Sequence, residues 1–295
     1  MKIFITGATG FIGFAITAEL IRAGHQVTGL ARSDKSAQLL TTIGAESHPG
    51  ALENLSGLID GAKSADTVIH CAYDHSFSNL EETAKKETQA IEALGQGLHG
   101  SSRPLIVTSV VGMGCAVPGK RATEDFYDPR THNPRRSTEI AAARVGDSGV
   151  NVSVVRLPQV HNEIKQGFIT ALIKLAADKG ISAYVAEGTN QWAAAHLLDV
   201  ARLYRLVVEK PRAGLRYHAV AEEGISLYSI AKAISVGLNI PLVSLSSEAA
   251  KAHFGWLAMF AEMDMRASSA LTRQRIPWHP SHDGLLKDIE QSFLR

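Results

Sequence analysis

The stretch TGATGFIG, residues 6–13, decides how this chain folds. It follows KIFIT, a short β-branched and aromatic run typical of a strand, and it leads into apolar residues at helical spacing over residues 11–23. The pattern predicts a strand, a tight turn and a helix. Gly7 permits the sharp turn, Gly10 lets backbone N–H groups approach a pyrophosphate, and Gly13 lets the helix pack closely on the strand.

The alternation of strands and helices continues along the chain. Apolar strand-like runs recur at residues 26–30, 67–71, 105–108 and 152–155, with helical stretches between them. This alternation is typical of an α/β fold with a doubly wound parallel sheet, the Rossmann fold. In that context the glycine turn predicts dinucleotide binding rather than a purely structural turn.

The end of the second strand bears on which dinucleotide is bound. An NAD site usually has Asp or Glu there to hold the ribose 2′-hydroxyl, whereas this chain has Ala31, Arg32 and Ser33. Arg32 can pair with a 2′-phosphate through charge-assisted hydrogen bonds, and Ser33 can donate one more. Arg32 can also be a solvated surface residue. We expect NADP as the cofactor, with NAD less favoured.

Composition excludes several other classes. The chain has 295 residues, 45% of them hydrophobic, and 30 basic against 29 acidic residues give a net charge of +1. It contains no basic run that would indicate nucleic acid, and its N-terminus resembles neither a signal peptide nor a membrane span. We therefore expect a cytoplasmic protein. Cys71 and Cys115 are the only cysteines, and no Cys/His cluster has metal-ligand spacing, so we expect no metal site.

Five blocks of sequence carry a family resemblance: TGATGFIG (6–13), ADTVIHCAY (65–73), IVTSVVGMG (106–114), VSVVRLPQVH (152–161) and HLLDVARLY (196–204). On these blocks the chain resembles the short-chain dehydrogenase/reductase superfamily, in its extended and atypical branches, which include NAD-dependent epimerases and dehydratases. The resemblance implies a dinucleotide-binding Rossmann domain at 1–157 and a smaller, mainly C-terminal substrate-binding part at 158–295, interleaved with the last sheet strands. It also implies a small-molecule substrate, and a homodimer is common in that family.

The resemblance also assigns residues to the cofactor. The expected cofactor contacts are Gly7, Thr9, Gly10, Phe11, Ile12, Gly13, Arg32, Ser33, Ala51, Leu52, Cys71, Ala72, Tyr73, Arg136 and Pro158. Extended members often have an Asp after the third strand that contacts adenine. Since residues 50–52 offer none, we expect adenine to be held by backbone and packing.

The chain departs from the family at the Tyr-x-x-x-Lys pair. The lysine position corresponds to Arg136, or a residue near it, and the tyrosine position to His132, which gives HxxxR, as in a subgroup of atypical members. An alternative register pairs Arg135 with Glu139 and leaves no proton donor. Asn133, followed by proline, predicts a helix start, so the arginines are also open to a purely structural interpretation as a solvated basic turn.

The resemblance suggests roles for the HxxxR residues. An arginine cannot usefully exchange protons, so we expect Arg136 to hold the nicotinamide ribose and stabilise an oxyanion. The proton would then pass through His132, and a reduction using imidazolium as the acid would run faster below neutrality. Ser109 takes the place of the catalytic serine that hydrogen-bonds the substrate carbonyl.

A further set of residues is expected to face the substrate. Asp74 belongs to a Tyr73-Asp74-His75 run at the end of the fourth strand, where ligands approach such sheets. The other expected substrate contacts are His161, Phe168, Trp192 and His196. Residues such as Trp192 and Phe168 are more often core residues than ligand contacts, so both are open to that interpretation.

These observations favour an NADP-dependent oxidoreductase that acts on a carbonyl or alcohol of a small, fairly apolar substrate. Two alternatives stay open. One is an epimerase or dehydratase that uses the bound dinucleotide without net turnover. The other is a non-catalytic NAD(P)-binding redox sensor, because the missing Tyr-x-x-x-Lys pair fits loss of catalysis as well as it fits altered catalysis.

Overall fold

A seven-stranded sheet forms the centre of the protein, whose computed structural model describes residues 1–74 and 79–294. Its strands are β1 (Lys2–Thr6), β2 (Gln26–Ala31), β3 (Glu46–Pro49), β4 (Thr67–His70), β5 (Pro104–Val110), β6 (Asn151–Leu157) and β10 (Arg216–His218). They lie in the order β10-β6-β5-β4-β1-β2-β3, and every neighbouring pair is parallel. The order changes direction at β1 and β4, and ligands bind such sheets beyond the carboxyl ends of the strands at this point. The predicted doubly wound α/β fold is confirmed.

Helices cover both faces of this sheet. They are α1 (Phe11–Arg22), α2 (Asp34–Thr42), α3 (Leu55–Lys63), α4 (Leu80–Leu98), α5 (Arg136–Asp147) and α7 (Leu197–Glu209). On one face α1 packs against α7, and on the other α4 packs between α3 and α5. Successive side chains of a strand point to opposite faces, so Ile3 and Ile5 join the core beneath α1 and α7 while Phe4 joins the core beneath α3, α4 and α5.

Two smaller sheets and six helices make up most of the second part of the chain. The strands are β7 (Gln159–His161), β8 (Ser182–Val185), β9 (Gln191–His196), β11 (Glu222–Ser226) and β12 (Leu242–Leu245), and they form sheets of order β11-β9-β7 and β12-β8. The helices are α6 (Phe168–Lys179), α8 (Leu227–Leu238), α9 (Ser247–Phe254), α10 (Ala258–Glu262), α11 (Ala270–Arg275) and α12 (Leu285–Ser292). They enclose a core of their own. Two elements from the middle of this part, α7 and β10, return to the main sheet, so the two parts are interleaved along the chain.

None of the helices that the structure describes is both long and apolar enough to cross a membrane.

Candidate functional site

The glycine turn after β1 has the close backbone contacts expected from the sequence. Gly7 has φ +74, and a Cβ added there would lie 2.7 Å from the Ala72 backbone nitrogen. A Cβ on Gly13 would lie 2.1 Å from the Gly7 carbonyl oxygen, so neither position accommodates a side chain. Gly10 is the N-cap of α1 and supplies no side-chain cap, which leaves the first N–H groups of the helix for an anion. Thr9, Phe11 and Ile12 line the same turn.

A cavity of about 440 Å³ opens beyond the carboxyl ends of β2 and β3. Its lining residues are Ala31, Arg32, Ser33, Asp34, Ala37, Pro49, Gly50, Ala51 and Asn54. Three of the residues assigned to the cofactor from sequence, Arg32, Ser33 and Ala51, therefore share one cavity. Leu52 is not among these lining residues, and its partly buried side chain packs against the core that contains Phe4, so its assignment to the cofactor stays a prediction.

The start of α2 forms one wall of this cavity. Ser33 is the N-cap of α2, and its hydroxyl accepts the Ser36 backbone N–H at 3.3 Å. The N-terminus of α2 and the exposed Arg32 guanidinium both favour an anion here. Sequence reasoning missed Asp34, the first residue of α2, whose carboxylate opposes them. The sequence could have indicated Asp34, because it directly follows a serine that caps a helix at the end of β2.

The end of β4 holds neutral groups. The His70 ring shares a hydrogen bond between Nδ1 and Thr6 Oγ1 at 2.8 Å, and burial followed by the nearby Arg135 cation lowers the pKa of His70 to about 3. Burial raises the pKa of the Cys71 thiol to about 11, outweighing the opposite effects of Thr108 and Arg135. Both groups are therefore uncharged at neutral pH. Ala72 contacts the glycine turn directly.

Arg135, not Arg136, reaches the strand ends. Its guanidinium donates to the Thr108 carbonyl at 2.9 Å and to Glu87 Oε1 at 3.0 Å, and it lies 3.7 Å from the centroid of the Tyr73 ring. Arg136 is exposed and donates to the Thr131 carbonyl at 3.3 Å. The structure thus corrects the assignment of Arg136 to the cofactor.

The physical reason is a shift in where α5 begins. The sequence predicts Asn133 as the N-cap, but the N-cap is Arg135, and the Asn133 side chain instead accepts the Arg135 N–H at 2.9 Å. Successive helical residues are about 100° apart around the axis, so a small shift exchanges inner and outer positions. His132 is exposed on the preceding turn. The inward-facing residues are Arg135 and, one turn later, Glu139, which is the alternative register.

Glu139 is fully buried in a charged cluster. Arg156 donates two hydrogen bonds to it, from Nε to Oε1 at 2.7 Å and from Nη2 to Oε2 at 2.8 Å. Arg216 Nε donates a third, to Oε2 at 3.1 Å. Burial raises the pKa of Glu139, but the hydrogen bonds and charge of Arg156 outweigh it and leave the pKa below its ordinary value. The carboxylate is therefore ionised and structural. The Arg156 side chain points into this cluster, and Pro158 follows β6 at the carboxyl end of the sheet.

Ser109 lies beside this cluster. It is 1% exposed, and its Oγ approaches Glu139 without a hydrogen bond of normal geometry to any residue in the described ranges. Ser109 is the penultimate residue of β5, and the expectation that it faces a substrate carbonyl stays a prediction. Its neighbour Thr108 shares a hydrogen bond with the Tyr204 hydroxyl at 2.7 Å.

The residues expected to bind substrate do not form one wall. Asp74 is exposed at the end of β4, and His75, named with it, lies outside the described residues. Trp192 is fully buried, with Nε1 donating to the Met263 carbonyl at 3.2 Å, so it is a core residue. Phe168 packs against Phe260 with ring centroids 4.4 Å apart.

His161 and His196 belong to a polar cluster that fastens α12. His161 is fully buried and shares a hydrogen bond with Asp288 at 2.6 Å, which corrects its expected place in a substrate pocket. Glu163, His196 and Asp288 bring ligand-type atoms within 4.8 Å of one another. However, His196 Nδ1 accepts the Leu198 N–H at 3.2 Å, so the neutral ring carries its proton on Nε2. That nitrogen is a hydrogen-bond donor and not a metal ligand.

Comparisons with known proteins agree with this architecture. The model of the NAD dependent epimerase/dehydratase family matches residues 3–221 of the chain. A Schizosaccharomyces pombe protein described as uncharacterized protein C2A9.02 is 44% identical over 290 residues, which cover 98% of each chain. The Dictyostelium discoideum sterol-4-alpha-carboxylate 3-dehydrogenase, decarboxylating, is 28% identical over 229 residues, covering 71% of this chain and 68% of that protein.

Solved structures show the same fold at low identity. The Thermus thermophilus UDP-glucose 4-epimerase in complex with NAD superposes with a TM-score of 0.75 at 17% identity, covering 99% of this chain and 98% of the other. Together these findings define the class: the chain is a Rossmann-fold protein from a family of NAD(P)-dependent, oxidoreductase-type enzymes. The chain belongs to the NAD-dependent epimerase/dehydratase family, within the superfamily that its sequence resembles.

Proposed function

We propose that this protein is an NADP-dependent oxidoreductase that interconverts a carbonyl and an alcohol on a small, fairly apolar substrate. The observation that carries the proposal is a juxtaposition at one edge of the sheet. The glycine turn touches the backbone of Ala72, and the next residue, Tyr73, presents a phenol beneath the Arg135 guanidinium. A dinucleotide held at the turn would therefore lie along a proton donor and a fixed cation.

The preference for NADP rests on the cavity at the end of β2. Arg32 is exposed there, and the N-terminus of α2 adds a positive end to the same space. Asp34 weakens this field, and that carboxylate is the feature that would favour NAD. We expect Arg32 to decide the preference in favour of NADP, because no acidic residue occupies position 31, where an NAD site usually holds the ribose hydroxyls.

The acid–base chemistry falls to Tyr73. A bound nicotinamide supplies or removes the hydride. In the reductive direction the Tyr73 hydroxyl donates its proton to the substrate oxygen as the carbon accepts the hydride, and solvent then reprotonates the phenolate. Burial raises the pKa of Tyr73 in spite of Arg135, so the hydroxyl is protonated at neutral pH and holds the proton to be donated.

Arg135 supplies charge but exchanges no proton. Its guanidinium is fixed by Glu87, the Thr108 carbonyl and the Tyr73 ring, so it stabilises the phenolate and a developing oxyanion without reorganising. Glu139, one helical turn after Arg135, is a positioning residue, because it holds β6 and β10 in place through its arginine partners.

The second part of the chain supports an apolar substrate. Trp256 is 60% exposed and Met259 58% exposed, and the Trp256 ring packs 6.0 Å from Phe168. Exposed apolar side chains of this kind, where they contact a substrate, favour an aryl or alkyl carbonyl compound over a strongly charged one.

Two measurements test the proposal together. The protein is titrated calorimetrically with NADPH, NADP, NADH and NAD, and NADPH consumption is then followed with a panel of aryl and alkyl aldehydes and ketones. We expect tighter binding of the phosphorylated pair and turnover of at least one apolar carbonyl. If the protein binds none of the four dinucleotides, the proposal is contradicted.

A redox sensor is the second candidate, favoured by one observation. The inward-facing position one turn after Arg135 is a buried, ion-paired glutamate and so offers no cation to a ribose. A sensor would keep dinucleotide binding and partner choice when Tyr73 is replaced by Phe. The oxidoreductase would keep binding and lose turnover.

A further inference from the structure

A tight turn from the second part of the chain lies against the start of α1. Asn162 organises it: its Oδ1 accepts the N–H groups of Ile164 at 3.0 Å and Lys165 at 2.9 Å, and its own N–H donates to the Lys165 carbonyl at 2.9 Å. The Lys165 Nζ lies 5.3 Å from the centroid of the Phe11 ring. Phe11 is the first residue of α1, so this places a lysine ammonium at the N-terminus of the helix that follows the glycine turn.

The turn has a fixed base and an exposed tip. Gln166 is 1% exposed; its Nε2 donates to the Asn162 carbonyl at 2.9 Å, and its own backbone N–H is held by Thr170 Oγ1 at 2.8 Å. At the tip, Ile164 is 67% exposed and Lys165 is also exposed. The Lys165 ammonium can therefore move by the length of its own side chain while its backbone stays in place.

The ammonium of Lys165 lies beside the positive end of a helix. A helix N-terminus carries a partial positive charge, so a lysine beside it is unfavourable unless an anion lies between them. The first turn of α1 contains no acidic residue, and Gly10 contributes no side-chain cap. No ion pair joins Lys165 to an acidic group among residues 1–74 and 79–294. The ammonium and the unsatisfied N–H groups of α1 therefore favour one shared anion.

We propose that Lys165 binds the dinucleotide pyrophosphate from the side opposite α1, so that the turn at residues 162–165 closes over the cofactor. This inference rests on the proposed dinucleotide site and adds a residue to it from the other part of the chain. The pyrophosphate is common to both cofactors, whereas the 2′-phosphate belongs to NADP alone. Lys165 should therefore act on both cofactors equally, and Arg32 on one.

Calorimetric titration of Lys165→Ala, Arg32→Ala and Lys174→Ala with NADPH, NADH, ADP-ribose and 2′-AMP separates these roles. Lys174 is the matched control: it lies on α6, is exposed, and pairs with Asp178. We expect Lys165→Ala to weaken the binding of NADPH, NADH and ADP-ribose by a similar factor of about 2 to 5, as expected for one partly exposed ion pair, and to leave the binding of 2′-AMP unchanged. The factor should shrink as salt is added. Lys174→Ala should bind all four as the parent protein does.

The outcomes distinguish this inference from the proposed function. If the parent protein binds the dinucleotides and Lys165→Ala binds them equally well, the proposed contact of Lys165 with the pyrophosphate is overturned and the dinucleotide site stands. A loss confined to NADPH and 2′-AMP would place Lys165 at the 2′-phosphate and overturn the pyrophosphate assignment. If the parent protein binds none of the probes, the proposed function itself fails. An unchanged thermal midpoint for Lys165→Ala excludes a folding defect as the cause of weaker binding.

Discussion

The guanidinium of Arg135 lies 3.7 Å from the centroid of the Tyr73 ring. A residue at the start of α5 and a residue just after β4 therefore meet at the edge of the sheet. A cation over an aromatic face is attracted by the ring quadrupole, and the contact is worth about 0.5–2 kcal/mol depending on solvation. The pair combines a group able to donate a proton with a cation able to stabilise the resulting charge.

Replacing Tyr73 by Phe should remove turnover and leave cofactor binding intact. The ring that packs under Arg135 remains, while the hydroxyl that donates the proton is lost, so kcat should fall by at least about 100-fold. Steady-state kinetics with any carbonyl that the parent protein reduces, together with NADPH titration, measures both effects. Tyr127→Phe is the matched control, because Tyr127 also lies under an arginine, Arg216 at 4.3 Å. Equal kcat values for parent and Tyr73→Phe would remove Tyr73 from the mechanism.

Two neighbouring arginines should differ sharply in their effect on stability. Arg135→Met leaves Glu87, whose side chain is 3% exposed, without its cation, and should lower the free energy of unfolding by about 3 kcal/mol. Arg136→Met changes an exposed residue and should alter it by less than about 0.5 kcal/mol. Urea unfolding of both variants makes the comparison. Similar losses in the two variants would contradict the inward orientation of Arg135.

Acid should destabilise the protein through three buried histidines, His70, His161 and His218. Burial and, second to it, a neighbouring arginine lower the pKa values of His70 and His218 to about 3. Burial lowers the pKa of His161 to about 4. The folded-state values lie below the unfolded value of 6.5, so this stabilisation is complete above pH 6.5 and is lost as pH falls towards 4. Each group contributes a slope of up to about 1.4 kcal/mol per pH unit.

The measurement is urea unfolding at several pH values across that window. His161→Gln keeps a hydrogen-bond donor for Asp288 and removes one titrating group, so the slope should decrease by about a third, in line with three contributing histidines. An unchanged slope in this variant would show that His161 does not contribute to the pH dependence.

Arg32→Ala should change cofactor preference rather than cofactor binding in general. Loss of charge-assisted hydrogen bonds to a 2′-phosphate should weaken NADPH by about 10- to 100-fold and leave NADH unchanged. Asp34→Asn is the opposite test: removing the carboxylate from the same cavity should tighten NADPH. Calorimetric dissociation constants measure both. A parallel loss of NADPH and NADH in Arg32→Ala would place Arg32 away from the 2′-phosphate.

The parts of the fold set by local sequence were predictable. The glycine turn, the alternation of strands and helices, and the limits of α1 and α6 follow from backbone sterics and from apolar spacing within one segment. The orientation of Arg135 was not predictable, because two adjacent arginines carry the same composition signal and a two-residue shift in the start of α5 decides which one faces inward. Trp192 and His161 were misassigned for a related reason: strand alternation identifies an inner face but not which layer covers it.

The packing of α7 on α1 and the return of β10 to the edge beside β6 have a consequence for cutting the chain. A fragment ending at Leu157 would lose both elements, expose the apolar side of α1 around Ile16 and Leu20, and leave β6 as a bare edge. A single proteolytic nick near that residue should therefore not release a folded nucleotide-binding module. Both pieces should remain associated, and both should unfold together.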